Sequence, residues 1–338
     1  MQFIKASIIT IGDELLIGQV IDTNSAYIAQ SLNKIGVTVS NRIAVGDDKN
    51  AILDALSNTS KQSNIVIITG GLGPTADDIT KPLLNEYFGG KLVIHQPSLD
   101  HITDIFLNKY KRPLIERNIK QAEVPDVCEV LFNENGTAPG MLFEKEGVLY
   151  FSLPGVPHEM KGLVDKYVIS KIKQSFKTPS IVHRTLLTAG LGESFLAEII
   201  ADFENALPSH IKLAYLPNFG MVRLRLTGTS DNENELITNM EAVFAELKVK
   251  VQAYLVTDKD EAMEVVVGGL LRANNQTVAT AESCTGGYIG HLLSKHAGSS
   301  QFYTGGIISY DNRIKTEFLD VSTEILHTVG AVSKEAVE

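Results

Sequence analysis

The sequence has no tryptophan, two cysteines and no long uninterrupted apolar run. Cys128 and Cys284 lie far apart and outside any CxxC or Cys/His spacing, which argues against a disulfide framework or a structural zinc site and favours a reducing compartment. No stretch approaches the roughly 20 apolar residues that span a bilayer. The apolar start at residues 4–11 contains Lys5 and is followed by Asp13, as in a buried strand and not in a signal peptide. We therefore expect a cytoplasmic protein without a membrane partner.

Positive charge is also scarce, because the chain has 30 lysines and arginines but 40 aspartates and glutamates, which gives a formal net charge of −10. A general affinity for nucleic-acid phosphates requires a basic surface, so we expect no nucleic-acid partner and favour small ligands. The length of 338 residues exceeds one ordinary core and predicts two or three domains. Multi-domain metabolic enzymes commonly self-associate, so a homo-oligomer is a base-rate expectation.

The first part of the chain alternates apolar runs with helical patterns. Residues 6–11, 37–45 and 65–69 predict strands, and a helix between the first two is expected to begin with Thr23 as its N-cap. Another helix is predicted near residues 50–60. This rhythm implies an α/β fold in which helices cover both faces of a parallel sheet.

After residue 178 the pattern changes to strand, helix, two strands and helix. We therefore predict a layered parallel-sheet domain over residues 1–170, a small α+β domain over residues 171–255 and an α/β domain over residues 256–338. In the second domain Phe195, Ile199 and Phe203 recur at helical spacing and predict a buried helix face. The third is short for a layered domain and ends soon after a strand-like GAVS, so we expect it to be incomplete.

The first chemical motif is TGGLGPTADD at residues 69–78, directly after a predicted buried strand. Its glycines let backbone amides approach a ligand closely, and open α/β sheets bind ligands at this end of their strands. Asp77 and Asp78 would repel a bare phosphate but suit a divalent cation held between them and phosphate oxygens. The alternative is that Asp78 forms a capping box with Thr75, and the residues alone leave both interpretations open.

Three further segments extend this motif: GDELLIGQVIDTN at 12–24, NENGTAPG at 133–140 and LPGVPHEM at 153–160. Together the four segments resemble the molybdopterin-binding (MogA-like) domain of the CinA (competence/damage-inducible protein) family, over residues 1–250. The resemblance implies metal-dependent hydrolysis of ADP-ribose-type pyrophosphates, with a divalent metal ion as cofactor. It also implies roles for particular residues. The implied metal residues are Glu14, Asp77 and Asp78, and the implied substrate or phosphate residues are Gly70, Gly71, Gly73, Thr75, Asn24 and Gly155.

The second chemical motif is AESCTGG at residues 281–287, again between an apolar strand and a helix. A serine hydroxyl needs a base, and Lys315 is a candidate if burial keeps its amine neutral. His291 and His296 are other candidates, although both are expected inside a helix. The amides near Gly286 and Gly287 suit an oxyanion hole. The alternative is a plain strand-turn-helix in which Ser283 and Thr285 are caps.

AESCTGG, with the GSS and GGIISYDNRIK that follow it, is very similar to the CinA C-terminal domain, a nicotinamide mononucleotide deamidase, over residues 258–338. This resemblance implies hydrolysis of the carboxamide to nicotinate mononucleotide and ammonia, without a cofactor. It implies Ser283 as nucleophile with help from Tyr310 and Lys315, and Ser299 or Ser300 as the rival nucleophile. Cys284 is expected to be a buried neutral thiol.

The whole chain is thus expected to be a hydrolase with small-molecule nucleotide substrates. The alternative is a molybdopterin- or nucleotide-binding protein without turnover, associated with competence.

Overall fold

The computed structural model describes residues 4–75 and 77–338. Its strands are β1 (Lys5–Ile11), β2 (Thr38–Val45), β3 (Ile65–Thr69), β4 (Leu92–Ile94), β5 (Glu123–Pro125), β6 (Glu129–Leu131), β7 (Gly140–Lys145), β8 (Val148–Leu153), β9 (Ser180–Ala189), β10 (Ile211–Asn218), β11 (Met221–Ser230), β12 (Leu255–Thr257), β13 (Val278–Glu282) and β14 (Tyr303–Ile308).

The α-helices are α1 (Asp13–Leu16), α2 (Thr23–Asn33), α3 (Lys49–Ser60), α4 (Thr80–Phe88), α5 (Gln96–Asp104), α6 (Glu116–Ile119), α7 (Pro157–Leu163), α8 (Ile169–Ser175), α9 (Glu193–Ile199), α10 (Ala201–Asn205), α11 (Glu233–Lys250), α12 (Met263–Ala273), α13 (Tyr288–Ser294), α14 (Asn312–Leu319), α15 (Thr323–Thr328) and α16 (Lys334–Val337). Two π-helical segments, Ile105–Lys109 and Val164–Val168, and two 3-10 segments, Lys120–Ala122 and Ser299–Gln301, complete the helical structure of the described residues. None of the helices in these residues combines the length and the apolar character that crossing a bilayer requires.

The first sheet has six strands in the order β2-β1-β3-β8-β7-β6. The four strands β2, β1, β3 and β8 are parallel, as predicted, whereas β7 and β6 add an antiparallel edge that the sequence rhythm did not indicate. Along β1 the side chains alternate between two cores, with Ile8 in one and Ile9 in the other. A strand buried on both faces explains why β1 and β3 read as continuous apolar runs.

Helix α2 confirms one prediction for the first half of the chain and corrects another. Helix α2 begins at Thr23 with Ile28 and Leu32 buried, as expected, but its N-cap is Asp22 and not Thr23. The Asp22 carboxylate accepts a hydrogen bond from the Ser25 amide, three residues further on. Thr23 is already the first residue of the helix, so its side chain lies one position too late to cap it.

The second sheet has the order β10-β11-β9-β12, and β11 alternates buried and half-buried residues as predicted. The predicted apolar helix face is wrong in part, because Phe195 is 64% exposed and Ile199 is also exposed. The buried side chains are Leu196, Ile200 and Phe203, so the helical face that packs is turned by one residue at its start.

The last part of the chain pairs β13 and β14 in parallel, with α13 between them. The GAVS segment at residues 330–333 is irregular and not a strand. By compactness the chain divides into one unit of Met1–His183, Pro208–Lys212 and Thr227–Ala242, and a second of Arg184–Leu207, Leu213–Leu226 and Val243–Glu338. The predicted division at residues 170 and 255 differs from this one and stays a prediction.

Gly70 follows β3 in a conformation that only glycine tolerates. Its φ is +112°, and a Cβ built there would lie 2.2 Å from the Ile11 carbonyl oxygen. We expect Gly70→Ala to lower the free energy of unfolding by about 2–4 kcal/mol in urea titrations, because backbone strain and overlap add. Gly147→Ala is the matched control, since its φ of +75° is also positive but open space surrounds it. It should cost about 1 kcal/mol, and equal losses in both variants would contradict the close approach at Gly70.

Candidate functional sites

The glycine loop after β3 uses most of its amides internally. The Gly70 amide donates to the Leu153 carbonyl at 3.1 Å. The Gly73 and Thr75 amides donate to the two carboxylate oxygens of Asp78, at 2.7 and 2.9 Å. Among the glycines predicted to hold substrate or phosphate, Gly71 and Gly155 have amides without a hydrogen-bond partner in the described part of the chain. The loop therefore offers an anion fewer donors than its sequence indicates.

Asp78 closes this loop and does not cap a helix. Its carboxylate also accepts from the Thr75 hydroxyl, but α4 begins at Thr80, two residues further on. The predicted capping box is therefore wrong, although the predicted Thr75–Asp78 contact exists. Asp78 lines a cavity of about 310 Å³ together with the Gly71–Pro74 backbone, Gly155 and Glu159.

A group of carboxylates lies at the carboxyl ends of β1 and β2. The Asp13 amide donates to Asp47 and the Asp47 amide donates to Asp13, each at 3.2 Å. Burial raises the pKa of Asp47, and the charges of Asp13, Glu14 and Asp77 raise it further, although the amide of Asp13 acts in the opposite direction. The charges of Glu14 and Asp77 therefore both act on the same acidic neighbour, whereas a shared metal site for them stays a prediction.

The three predicted metal residues do not form a closed ligand set. Within residues 4–75 and 77–338, no group of three or more His, Cys, Asp or Glu side chains is arranged to hold a metal ion. Asp77 is exposed, whereas the Asp78 carboxylate is committed to its own loop. A cation here would need phosphate oxygens as additional ligands, so the metal role of Glu14, Asp77 and Asp78 stays a prediction.

Glu159 is a functional candidate that the sequence analysis missed. Asn133 donates from Nδ2 to Glu159 Oε2 at 2.6 Å and to the Ala138 carbonyl at 2.9 Å, which joins the NENGTAPG and LPGVPHEM segments. A Cβ on Gly136 would lie 2.0 Å from the Glu159 carboxyl carbon, so the glycine makes room for it. Burial raises the pKa of Glu159, against the opposing effect of the Asn133 hydrogen bond.

Lys81, which contacts a residue of the wall of the same cavity, has 8% of its surface exposed. Its Nζ donates to the carbonyls of Lys120 and Gln121, both at 3.1 Å, and Gln121 is part of the cavity wall. Burial lowers the pKa of Lys81 to about 8, although the charges of Glu123 and Asp78 raise it. The lysine therefore positions one wall of the cavity.

Asn24 and Gly155, which lie 131 residues apart in sequence, are joined by a hydrogen bond of 2.7 Å from Asn24 Nδ2 to the Gly155 carbonyl. Both line a second cavity of about 110 Å³, which also contains Glu14. Gly155 belongs to both cavities, and a Cβ on it would lie 3.4 Å from Gly70 Cα.

The second predicted site is a cavity of about 460 Å³ that Ser283, Ser309 and Lys315 line. Lys315, on the short helix α14, is 6% exposed, which is unusual for a lysine. Its Nζ donates to the Ser309 carbonyl at 2.6 Å and to the Tyr310 carbonyl at 3.1 Å. The structure therefore places Ser283 and Lys315 on one cavity.

The other predicted members of this site are placed differently. Tyr310 is 74% exposed, and it contacts Lys315 through its carbonyl and not through its phenol. Ser299 and Ser300 precede β14, whereas Ser309 follows it, so the six residues of the strand separate them by about 20 Å. The structure does not bring Ser299 or Ser300 to the Lys315 cavity.

The AESCTGG turn has a structural centre that the sequence did not indicate. Glu282 is buried, and its carboxylate accepts from the amides of Ile289 and Gly290 at 2.9 and 2.7 Å. Burial raises the pKa of Glu282, but these hydrogen bonds outweigh it and the pKa is lowered overall. The N-terminus of α13 is therefore already neutralised by a residue of the motif itself.

The glycines and the cysteine of this turn differ from expectation. The Gly286 amide donates to the Ser283 carbonyl at 3.0 Å, so it is engaged within the turn. Gly287 has a φ of +93°, and a Cβ there would lie 2.7 Å from Ile308. Cys284 is exposed, and the prediction of a buried thiol is wrong.

The two histidines that were alternative candidates for the base are placed differently from each other. His296 lies beyond the end of α13, where its Nε2 is 3.7 Å from Glu264, whereas His291 is inside the helix.

Comparison with known proteins matches three parts of the chain to known domain families. Residues 7–174 match the family described as "Probable molybdopterin binding domain", residues 183–257 the damage-inducible protein CinA KH domain and residues 260–338 the CinA C-terminal domain. A CinA-like protein from Cytophaga hutchinsonii is 48% identical over 335 residues, which are 99% of this chain and 80% of that protein.

Two solved structures are also similar in sequence. The protein CinA with unknown function from Thermoplasma acidophilum is 34% identical over 52% of this chain and 99% of its own, with a TM-score of 0.45. A competence/damage inducible protein from Agrobacterium tumefaciens is 40% identical over 22% of this chain and 44% of its own, with a TM-score of 0.21.

The parallel-rich first sheet and the family matches define a mixed α/β protein whose N-terminal part matches the molybdopterin-binding-domain family. The chain belongs to the CinA family. The predicted family and fold class are both confirmed.

The low pKa of Lys81 predicts a measurable dependence of stability on pH. Between about 8 and 10.5 the unfolded chain holds the Lys81 proton and the folded chain has released it, so the free energy of unfolding rises with pH. The rise should total about 3 kcal/mol and be absent in Lys81→Met. The measurement is urea unfolding of both proteins from pH 7 to 10.5, with the exposed Lys61→Met as control. Parallel curves for wild type and Lys81→Met would show that Lys81 titrates as a solvated lysine.

Proposed function

We propose that the chain hydrolyses nucleotides at two separate sites. The C-terminal site deamidates nicotinamide mononucleotide to nicotinate mononucleotide and ammonia, and the N-terminal site hydrolyses ADP-ribose-type pyrophosphates with a divalent metal ion. The observation that carries this proposal is the buried Lys315 on the cavity that Ser283 also lines.

The hydrogen bonds of Lys315 suit a base. A neutral amine has two N–H groups, and the carbonyls of Ser309 and Tyr310 accept both, which leaves the nitrogen lone pair for a proton. Ser283 Oγ then attacks the carboxamide carbon while its proton moves to Lys315 Nζ. The tetrahedral intermediate collapses as Lys315 returns the proton to the departing ammonia, and water hydrolyses the Ser283 ester to the carboxylic acid.

The neighbouring residues of the turn support this arrangement. Glu282 fixes the start of α13, and through it the turn that carries Ser283. The tight Gly287 turn keeps the backbone close to Ile308, so a side chain there would displace the turn. In this proposal Tyr310 orients Lys315 through its carbonyl, and its phenol takes no proton.

For the N-terminal site the specific observation is the group of carboxylates around Asp47, where the amides of Asp13 and Asp47 each donate to the other residue's carboxylate. Burial raises the pKa of Asp47 most, and the charges of Asp13, Glu14 and Asp77 raise it further, so a divalent cation would relieve repulsion within this group. Glu14 and Asp77 would hold the cation together with phosphate oxygens, and the cation would neutralise charge that develops on phosphate. Asp78 keeps the Gly73 and Thr75 amides in place.

Ser283 and Lys315 should act as one unit. Ser283→Ala, Lys315→Met and the double variant should each lose about the same activity, on the order of 100-fold or more, because removing either partner stops the same proton transfer. The assay is ammonia release from nicotinamide mononucleotide by the full chain. Ser300→Ala is the control and should keep normal activity, since Ser300 lies at the other end of β14. Activity that survives Ser283→Ala but disappears in Ser300→Ala would contradict the assignment.

Asp77 and Asp78 should behave differently. Asp77→Asn should reduce metal-dependent ADP-ribose hydrolysis by about 10- to 100-fold and raise the metal concentration needed, with an unchanged melting temperature because Asp77 is exposed. Asp78→Asn should also lower the melting temperature, because its loop loses charge-assisted hydrogen bonds. Asp100→Asn, on α5, is the control. If neither nucleotide is hydrolysed with any metal, the protein is a binding module without turnover.

A further inference from the structure

The amide of Asn24 has only one orientation that its neighbours permit. Its Nδ2 is 2.7 Å from the Gly155 carbonyl oxygen, which can only accept, and 3.3 Å from Thr69 Oγ1. The Thr69 hydroxyl gives its own proton to the Pro154 carbonyl at 2.9 Å, so toward Asn24 it also accepts. Both N–H groups of Asn24 are thereby consumed, and rotating the amide would place two oxygens against each other.

Asn24 Oδ1 is therefore left as an acceptor in a defined direction. The atom is buried, and it has no hydrogen-bond partner among the described residues. A buried acceptor without a donor is destabilising, and native proteins rarely retain one without a reason. A ligand group that donates a hydrogen bond is a sufficient reason.

The cavity beside Asn24, which we call the Asn24 pocket, indicates the chemistry of that ligand. Its walls are mostly carbon, from Ile11, Leu15, Val20 and Ile21. The acidic side chains of Glu14 and Asp22 also line it. Without a cation these carboxylates repel phosphate, so the metal-free pocket suits an uncharged group that carries hydrogen-bond donors.

Size and position narrow the ligand further. A volume of about 110 Å³ is comparable to a cavity that holds one benzene-sized ring, of about 150 Å³, and is too small for a whole dinucleotide. Val20 and Ile21 are 49% and 83% exposed, so apolar surface is available at the rim for a flat or ring-shaped group. Gly155 joins this pocket to the cavity of the Gly71–Pro74 loop, where Gly71 still offers an amide.

We propose that the Asn24 pocket binds the nucleoside end of the substrate of the N-terminal site, with Asn24 Oδ1 accepting a hydrogen bond from a sugar hydroxyl or from the amino group of the base. The inference rests on the proposed function in that the ligand is a nucleotide. The inference gives Asn24 the role of recognising the nucleoside. The family resemblance implied only that Asn24 binds either the substrate or its phosphate.

The experiment varies the donor on the ligand. Binding of adenosine and of adenosine 5′-monophosphate is measured by calorimetry in EDTA, so that no metal-dependent turnover occurs. Three analogues lacking one donor each, purine riboside and the 2′-deoxy and 3′-deoxy nucleosides, are compared with adenosine. Wild-type protein should bind one analogue about three- to tenfold more weakly, and that analogue identifies whether the base or the sugar donates.

Asn24→Ala should remove this discrimination and bind adenosine and that analogue equally. The exposed Asn58→Ala on α3 is the matched control and should discriminate as wild type does. Asn24→Ser, whose hydroxyl can still donate to Gly155, is the second variant in case Asn24→Ala does not fold. The comparison of analogues on wild-type protein needs neither variant.

Failure of the inference and failure of the proposed function are distinguishable. Discrimination lost in Asn24→Ala supports the inference even if ADP-ribose is not hydrolysed with any metal. Analogues that bind wild type within twofold of adenosine, discrimination that persists in Asn24→Ala, or no binding of adenosine and its monophosphate would overturn it. Hydrolysis of ADP-ribose alongside any of these three results would leave the proposed activity intact.

Discussion

The close approach of Gly70 and Gly155 is the constraint on which the first site depends. The Gly70 amide donates to Leu153 at the end of β8, and a Cβ on Gly70 would overlap the Ile11 carbonyl at the end of β1. The ends of these strands can converge only because no side chain separates them. The Asn24 pocket and the cavity of the glycine loop both form around this point of contact, and Gly155 belongs to both.

Buried charge organises each site in a comparable way. Lys81 donates to two consecutive carbonyls, of Lys120 and Gln121, and Lys315 donates to those of Ser309 and Tyr310. In each case a short segment at a cavity, a 3-10 turn in the first and an irregular segment in the second, is held by one nitrogen atom that reaches it from a neighbouring helix. Such a contact satisfies carbonyl groups that are not paired within a long helix or a sheet, at the cost of burying a lysine amine.

Much of the fold and part of the site could be predicted from the sequence. The strands β1 and β3 were predictable because strands buried on both faces are continuous apolar runs. Ser283 and Lys315 were identified by the resemblance of their segments to a known family. Glu159 was missed because its environment is created by Asn133 and Gly136, and no local pattern reveals a contact between distant segments.

Hydrogen bonds in the structure also assign different roles to residues of motifs that the sequence identified correctly. The glycine loop indicated a row of free amides, but the Asp78 carboxylate accepts from two of them. No role was predicted for Glu282, although its carboxylate accepts hydrogen bonds from two amides at the start of α13. Sequence shows which groups are present, whereas their remaining donors and acceptors depend on three-dimensional neighbours.

The contact between Gly70 and Gly155 also constrains how this protein can diverge. A side chain at Gly70 would overlap the Ile11 carbonyl oxygen, whereas one at Gly155 would only reach ordinary contact distance from Gly70. A shift of Gly70 away from Ile11 would therefore be felt at Gly155, whose carbonyl accepts from Asn24, so substitutions in the two segments should be coupled. Drift should be rapid at exposed positions of both segments and slowest at Gly70, so the two cavities evolve as one unit.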